Sequence, residues 1–194
     1  MMEIKEIRKQ YQITEFCHHF LQMHVCENDR CIDATAGNGY DTEFLCKLVG
    51  PEGKVYAFDI QEDALNHTKE RLHSAGIIDR AVLIHAGHEQ MKEYVQEEVG
   101  AVVFNFGYLP GGDHTIATKA DTSIQAIKQG MDLLRVGGIM SLCIYSGGDT
   151  GFDEREQILT FLKQLDVKKC MVIASEYYNR SNHPPMPVLV IRMK

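Results

Sequence analysis

The chain has 194 residues, 44% of them hydrophobic, and a formal charge of −7. That length suits one domain, 1–194, with a core that hides roughly 70% of the extended surface, and the acidic balance disfavours unspecific attraction to a phosphate backbone. No run approaches the ~20 apolar residues that span a bilayer, and the first six residues lack a signal-peptide core, so a cytoplasmic location with no membrane partner is expected.

In chain order, residues 3–27 read as one or two helices with an apolar stripe at Phe16, Phe20 and Met23, forming an N-terminal helical segment over 1–28. A first strand is expected over 30–34 and a helix over 40–49, stopped by Gly50-Pro51. Strand 54–59, helix 62–75 closed by Gly76, strand 81–85 and a short helix near 88–97 follow. Then come strand 101–106, a loop holding Pro110-Gly111-Gly112, helix 121–135, and Gly137-Gly138 turning the chain into strand 139–145. A glycine-rich loop at 147–151 precedes helix 153–165. Two last strands, about 169–177 and 187–193, have no helix between them and should pair as an antiparallel hairpin. This alternation predicts an α/β sheet with helices on both faces.

None of the six cysteines forms a Cys-x-x-Cys pair. Plain core thiols are expected, with no metal site, although His18, His19 and His24 could face a partner.

The densest signal is Asp33-Ala-Thr-Ala-Gly37-Asn38-Gly39-Tyr-Asp41. A glycine turn between a strand and a helix, followed by an acidic strand end at Asp59, marks a nucleoside cofactor lying across strand tips. A dinucleotide site needs a third glycine, and Thr42 stands there instead. A carboxylate at Asp33 would crowd a pyrophosphate but suits a cationic ligand. S-adenosylmethionine has the required sulfonium, amine and ribose. Asp59 would take the ribose hydroxyls, with Ile60 and Gln61 beside it. The glycines would let the backbone approach the methionine part. Gly87-His88-Glu89, after the third strand, either flanks the adenine or caps the next helix.

These motifs, with Asn105-Phe-Gly-Tyr108-Leu-Pro-Gly-Gly112 and the tail Pro187-Val-Leu-Val-Ile191, carry a resemblance over almost the whole chain. The chain resembles class I S-adenosylmethionine-dependent methyltransferases, and more closely a small bacterial family described as rRNA methylases. Members of that family are assigned to methylation of 5-aminomethyl-2-thiouridine at tRNA position 34. The resemblance implies a Rossmann-like sheet of seven strands, the last one antiparallel. It also implies a tRNA anticodon stem-loop as partner.

Asn105-Phe-Gly-Tyr108 is similar to the Asn-Pro-Pro-Tyr signature of amino-nitrogen methyltransferases, with Phe-Gly in place of Pro-Pro. The Asn105 oxygen would accept an N–H of the nucleophile, and Tyr108 would offer a face for a base. The bland alternative is that Asn105 caps a turn and Tyr108 is packing. Asp113 or His114 is the nearest candidate base. Lys119, Arg180, Asn182 and His183 are candidate substrate contacts, the last three on a loop that should overhang the sheet's carboxyl edge. Without an RNA-binding appendage, a homodimer is expected. Competing readings are methylation of rRNA or a small-molecule amine, and a non-catalytic cofactor-binding protein.

Overall fold

The computed structural model describes residues 4–107, 119–145, 151–181 and 184–194, with backbone alone at 151–152. Seven strands form one sheet: β1 (Arg30–Asp33), β2 (Lys54–Asp59), β3 (Ala81–His85), β4 (Val99–Phe106), β5 (Leu134–Ile144), β6 (Cys170–Ala174) and β7 (Met186–Arg192). Their spatial order is β3-β2-β1-β4-β5-β7-β6. β1 pairs parallel with β2 and β4, whereas β7 pairs antiparallel with both β5 and β6. The expected final hairpin therefore forms, and its second strand lies inside its first.

The helices are α1 (Ile4–Gln10), α2 (Ile13–His24), α3 (Tyr40–Val49), α4 (Glu62–Ser74), α5 (Met91–Tyr94), α6 (Ala120–Leu133) and α7 (Gly151–Lys163). They split the core into two layers. Leu21, Leu45, Val49 and Leu72 pack with Cys31, Ala101 and Val103 on one face of the sheet. Met91, Ile127, Ile158 and Leu162 pack with Ile32, Val102 and Phe104 on the other. Neighbouring residues along β1 and β4 thus enter opposite layers, as the two-residue period of a strand requires. Phe104 and Phe106 are fully buried and stacked with centroids 5.0 Å apart. Each such ring stabilises the fold by about 1.5–3 kcal/mol relative to exposure.

Several features differ from expectation. β5 begins at Leu134, so Gly137-Gly138 lie within the strand rather than before it. The pairing steps from Val99↔Leu134 to Ala101↔Ile139, a bulge on β5 that Gly137 permits with φ +78°. Residues 88–97 hold a 3-10 turn at His88–Gln90 and then α5, not one helix. The apolar stripe of α2 is also rotated: Cys17 and Leu21 are buried, Phe16 and Phe20 are half-buried, and Met23 is 64% exposed. This face of α2 lies on β5, β7 and β4. The thiols of Cys17 and Cys143 approach to 3.6 Å, and the cysteines are free.

Candidate active site

The parallel strands end on one edge, and the loops leaving β1, β2, β3 and β4 meet there. The first is the glycine loop between β1 and α3. Gly37 and Gly39 take left-handed φ values of +52° and +77°. A side chain at Gly39 would also lie 2.8 Å from the Thr68 Cα, so this glycine sets how close the loop sits to α4. From α4, Thr68 Oγ1 donates to the Gly37 carbonyl (3.1 Å) and Arg71 Nε to the Asn38 carbonyl (2.7 Å). Arg71 also stacks over Tyr40 and pairs with Glu43. Asp59, at the tip of β2, accepts the Gly37 and Gln61 backbone N–H groups, both at 2.9 Å. One carboxylate therefore clamps the two loops at the β1–β2 crevice.

Asp33 is fully buried at the end of β1. Thr42 Oγ1 donates to it at 2.6 Å and the Thr35 N–H at 3.2 Å. Burial raises its pKa from 3.8 to about 7, and the nearby negative charge of Asp41 adds to this. A positive ligand beside Asp33 would favour the ionised form.

Asn105 lies near the end of β4, one residue before Phe106. Its backbone N–H donates to Thr35 Oγ1 (2.8 Å), and its side-chain Nδ2 donates to Asp41 Oδ2 (2.7 Å). The other Asp41 oxygen meets His18 Nε2 at 2.6 Å. A carboxylate offers only acceptors, so the Asn105 nitrogen must face Asp41 and its oxygen is the atom left to accept from a ligand. Asp41 sits in the first turn of α3, where the helix dipole favours its charge.

After β3, His88 is 9% exposed, with its ring edge-on to Phe104 and Phe106. It hydrogen-bonds the Ala34 carbonyl, and burial lowers its pKa, which keeps it neutral. Among the described residues its Nε2 is buried without a partner. The Glu89 carboxylate folds back so closely that a side chain at Gly87 would lie 2.4 Å from it. Ile60 is 56% exposed, and its carbonyl meets His85 Nε2 at 3.0 Å.

The structure thus brings Asp33, Gly37, Asn38, Gly39, Asp41, Asp59, Ile60, Gln61, Gly87, His88, Glu89 and Asn105 to the loops of one sheet edge. Lys119 is exposed just before α6, and Arg180 is exposed with its guanidinium 5.3 Å from the Tyr177 ring. Tyr177 in turn donates its hydroxyl to the Tyr11 carbonyl at 2.5 Å. Tyr108, Asp113, His114, Asn182, His183 and residues 147–150 lie outside the described residues. Sequence reading missed His18, Thr35, Thr42, Thr68 and Arg71. Thr42 carried a signal, since a hydroxyl in the first turn after a glycine loop can reach back to the strand end. His18 carried none. The histidines 18 and 24 part company: His24 Nδ1 meets the Gly137 carbonyl at 3.0 Å.

This donor set fits a nucleoside with a positive charge. Asp59 keeps lone pairs beyond the two it uses on the backbone, enough for a ribose diol. Asp33 and Asp41 put negative charge beside the glycine loop. The unpartnered His88 Nε2 is a buried acceptor suited to an exocyclic amine.

Residues 55–191 match the family described as "Putative rRNA methylase". The chain is 38% identical to the chloroplastic tRNA (mnm(5)s(2)U34)-methyltransferase of Arabidopsis thaliana, over 93% of this chain and 69% of that protein. A Clostridium thermocellum crystal structure described as a putative rRNA-methylase is 46% identical, covers 94% of this chain and 98% of its own, and superposes with a TM-score of 0.92. A Streptococcus mutans putative methyltransferase, solved in complex with SAH, is 35% identical over 100% of both chains with a TM-score of 0.87. The chain belongs to the Putative rRNA methylase family and has the Rossmann-like fold of S-adenosylmethionine-dependent methyltransferases.

Proposed function

We propose that this protein methylates the 5-aminomethyl group of wobble (2-thio)uridine-34 in tRNA, giving the 5-methylaminomethyl nucleoside. One observation carries the choice of a nitrogen nucleophile: the Asn105 carboxamide is tied by its nitrogen to Asp41, which leaves its oxygen to accept an amine N–H. The tRNA substrate rests on the relative that is 38% identical over 93% of the chain.

S-adenosylmethionine supplies an electrophilic methyl on a sulfonium; the C–N bond forms as the C–S bond breaks, and the amine's proton passes to solvent. The Asp59 carboxylate holds the ribose diol, with Ile60 and Gln61 at its side. Gly37, Asn38 and Gly39 line the methionine part, and Asp33 and Asp41 oppose its positive charge. His88 meets the adenine, between Gly87 and Glu89. Asn105 aims the amine lone pair, so the chain contributes mainly alignment. By analogy with lysine the free amine has a pKa near ~10, and about one molecule in a thousand is neutral at pH 7. A neighbouring positive charge and desolvation both favour the neutral form. Tyr108 as a stacking face and Asp113 or His114 as a base complete the reading.

The substrate rim combines Lys119, Arg180, Asn182 and His183 with the basic helix α1, where Lys5, Arg8 and Lys9 are exposed. The Tyr177–Tyr11 bond joins the β6–β7 loop to the end of that helix. This rim takes the phosphates of the anticodon stem-loop. A homodimer belongs to the same proposal, with a second copy seated on the outer face of α2 around the exposed Met23. No described helix is long and apolar enough to cross a membrane, and a location in the cytoplasm belongs to this proposal.

The test is to incubate the purified protein with the methyl donor and tRNA from a strain lacking the gene, then analyse its nucleosides by mass. Conversion of the aminomethyl into the methylaminomethyl nucleoside is expected. Transfer to rRNA or to free amines alone, or no transfer with the donor bound, overturns the assignment.

A further inference from the structure

We propose that His18 is a positioning residue of the active site, delivered by the N-terminal helical segment. It acts through Asp41 to fix the carboxamide of Asn105. This rests on the reading that Asn105 receives the substrate amine.

Three interactions link these residues. His18 Nε2 lies 2.6 Å from Asp41 Oδ1, and Asn105 Nδ2 lies 2.7 Å from Asp41 Oδ2. The side chains of His18 and Asp41 are only 14% and 10% exposed. The third interaction fixes the imidazole itself: its ring stacks on Phe44 with centroids 3.6 Å apart and planes 2° from parallel. Phe44 follows Asp41 by three residues on α3, so one helical turn presents both the acceptor and the ring platform. His18 comes from α2 and Asn105 from β4, so three separate elements converge on one carboxylate.

The arrangement solves a specific problem. A carboxamide can rotate by half a turn and exchange its oxygen for its nitrogen at little cost. In the wrong orientation Asn105 would offer a donor to an amine that also donates. Asp41 selects the right orientation because it only accepts. Asp41 itself could swing between rotamers, and the His18 N–H on its far oxygen removes that freedom. Charge-assisted hydrogen bonds of this kind are short and roughly twice as strong as neutral ones. His18 does not touch the reacting atoms. Its effect is on how often the acceptor oxygen is correctly placed.

The test compares His18→Phe, which keeps a ring for Phe44 but has no donor, with His18→Gln, whose amide nitrogen can reach the same carboxylate oxygen. Methyl transfer to tRNA, donor affinity and the Asn105 side-chain amide NMR signals are read for each. The expected result for H18F is a fall in kcat of about ten- to a hundredfold, with donor affinity within about threefold of the wild type. H18Q is expected to recover most of the rate. The Asn105 amide protons should exchange faster in H18F and remain protected in H18Q. Unchanged kcat in H18F, or H18Q falling as far as H18F, overturns the proposal. If the wild type does not methylate tRNA, the functional assignment fails by itself. The amide exchange then decides, and equal protection in all three proteins rejects the role of His18.

Discussion

Asp33 shows how a single buried group can report on the ligand. It has no exposure, and burial lifts its pKa from 3.8 to about 7. Below pH ~4 folded and unfolded chains both hold the proton, and the group contributes nothing to pH dependence. Between that point and pH ~7 the unfolded chain releases the proton while the folded chain keeps it, so stability falls as pH rises. Above pH ~7 that loss is complete. Asp33→Asn removes it, and the ligand-free variant should gain in Tm relative to the wild type as pH goes from 5 to 8. A cationic cofactor reverses the balance by favouring the carboxylate. Donor affinity of the wild type should therefore tighten up to about tenfold between pH 6 and 8, with proton release on binding, while D33N binds weakly and without this slope. Calorimetry in buffers of different ionisation enthalpy measures both quantities. A flat wild-type profile would remove Asp33 as the partner of the positive charge. The places of Asp33, Asp59 and the two glycines at the β1–β2 crevice were legible because strand, turn and helix fix their spacing in the sequence. His18 was not: 23 residues separate it from Asp41 and 87 from Asn105, and only the packing of α2 across the sheet joins them.

At the scale of elements, α2 is the instructive case. Phe16, Phe20 and Met23 mark a helical stripe fit either for an interface or for the sheet, and the sheet receives Cys17 and Leu21. Both patterns have helical spacing. They differ by one residue, or about 100° around the axis, and large rings outweigh a small thiol when only the sequence is seen. Leu21→Ala should cost about 2–5 kcal/mol in urea unfolding, whereas Met23→Ser should change stability by less than about 0.5 kcal/mol. The reverse ranking would restore the aromatic stripe as the core face. Elsewhere the local punctuation was sufficient. Tyr40–Val49, Lys54–Asp59 and Ala81–His85 form where the sequence predicts, because Gly39 opens α3 with a positive φ and Gly50 and Gly76, also at positive φ, follow the ends of α3 and α4. The same signal misled at Gly137-Gly138, where the left-handed glycine serves a bulge within β5. A glycine pair shows that the backbone departs from the ordinary, and only the neighbouring strand decides whether it departs as a turn or as a bulge.

Across the whole molecule, a net charge of −7 has to be reconciled with a polyanionic substrate. Folding concentrates part of the positive charge. The basic residues Lys5, Arg8 and Lys9 belong to α1, which buries none of its residues. Tyr11 directly after it receives the Tyr177 hydroxyl, and Arg180 lies over the Tyr177 ring. The Tyr177–Tyr11 bond therefore joins the segments that carry basic groups from both ends of the chain, and the proposed rim is built on that link. The remaining C-terminal charge does not join them. Arg192 donates to the Asp132 and Leu134 carbonyls, at the end of α6 and the start of β5 and hence at the opposite edge, and Lys194 is beside it. Replacing Lys5, Arg8, Lys9 and Arg180 together by Ala should weaken tRNA binding and make it less salt-sensitive. The slope of log K against log[salt] should shrink by about 0.7–0.9 for each phosphate that the variant no longer neutralises. Affinity for the methyl donor should stay unchanged, because none of these four residues lies among the loops after β1 to β4. Lys194→Ala should leave the tRNA titration as it was. A quadruple variant whose salt-dependent binding overlays that of the wild type would show that the RNA approaches the sheet edge from another side.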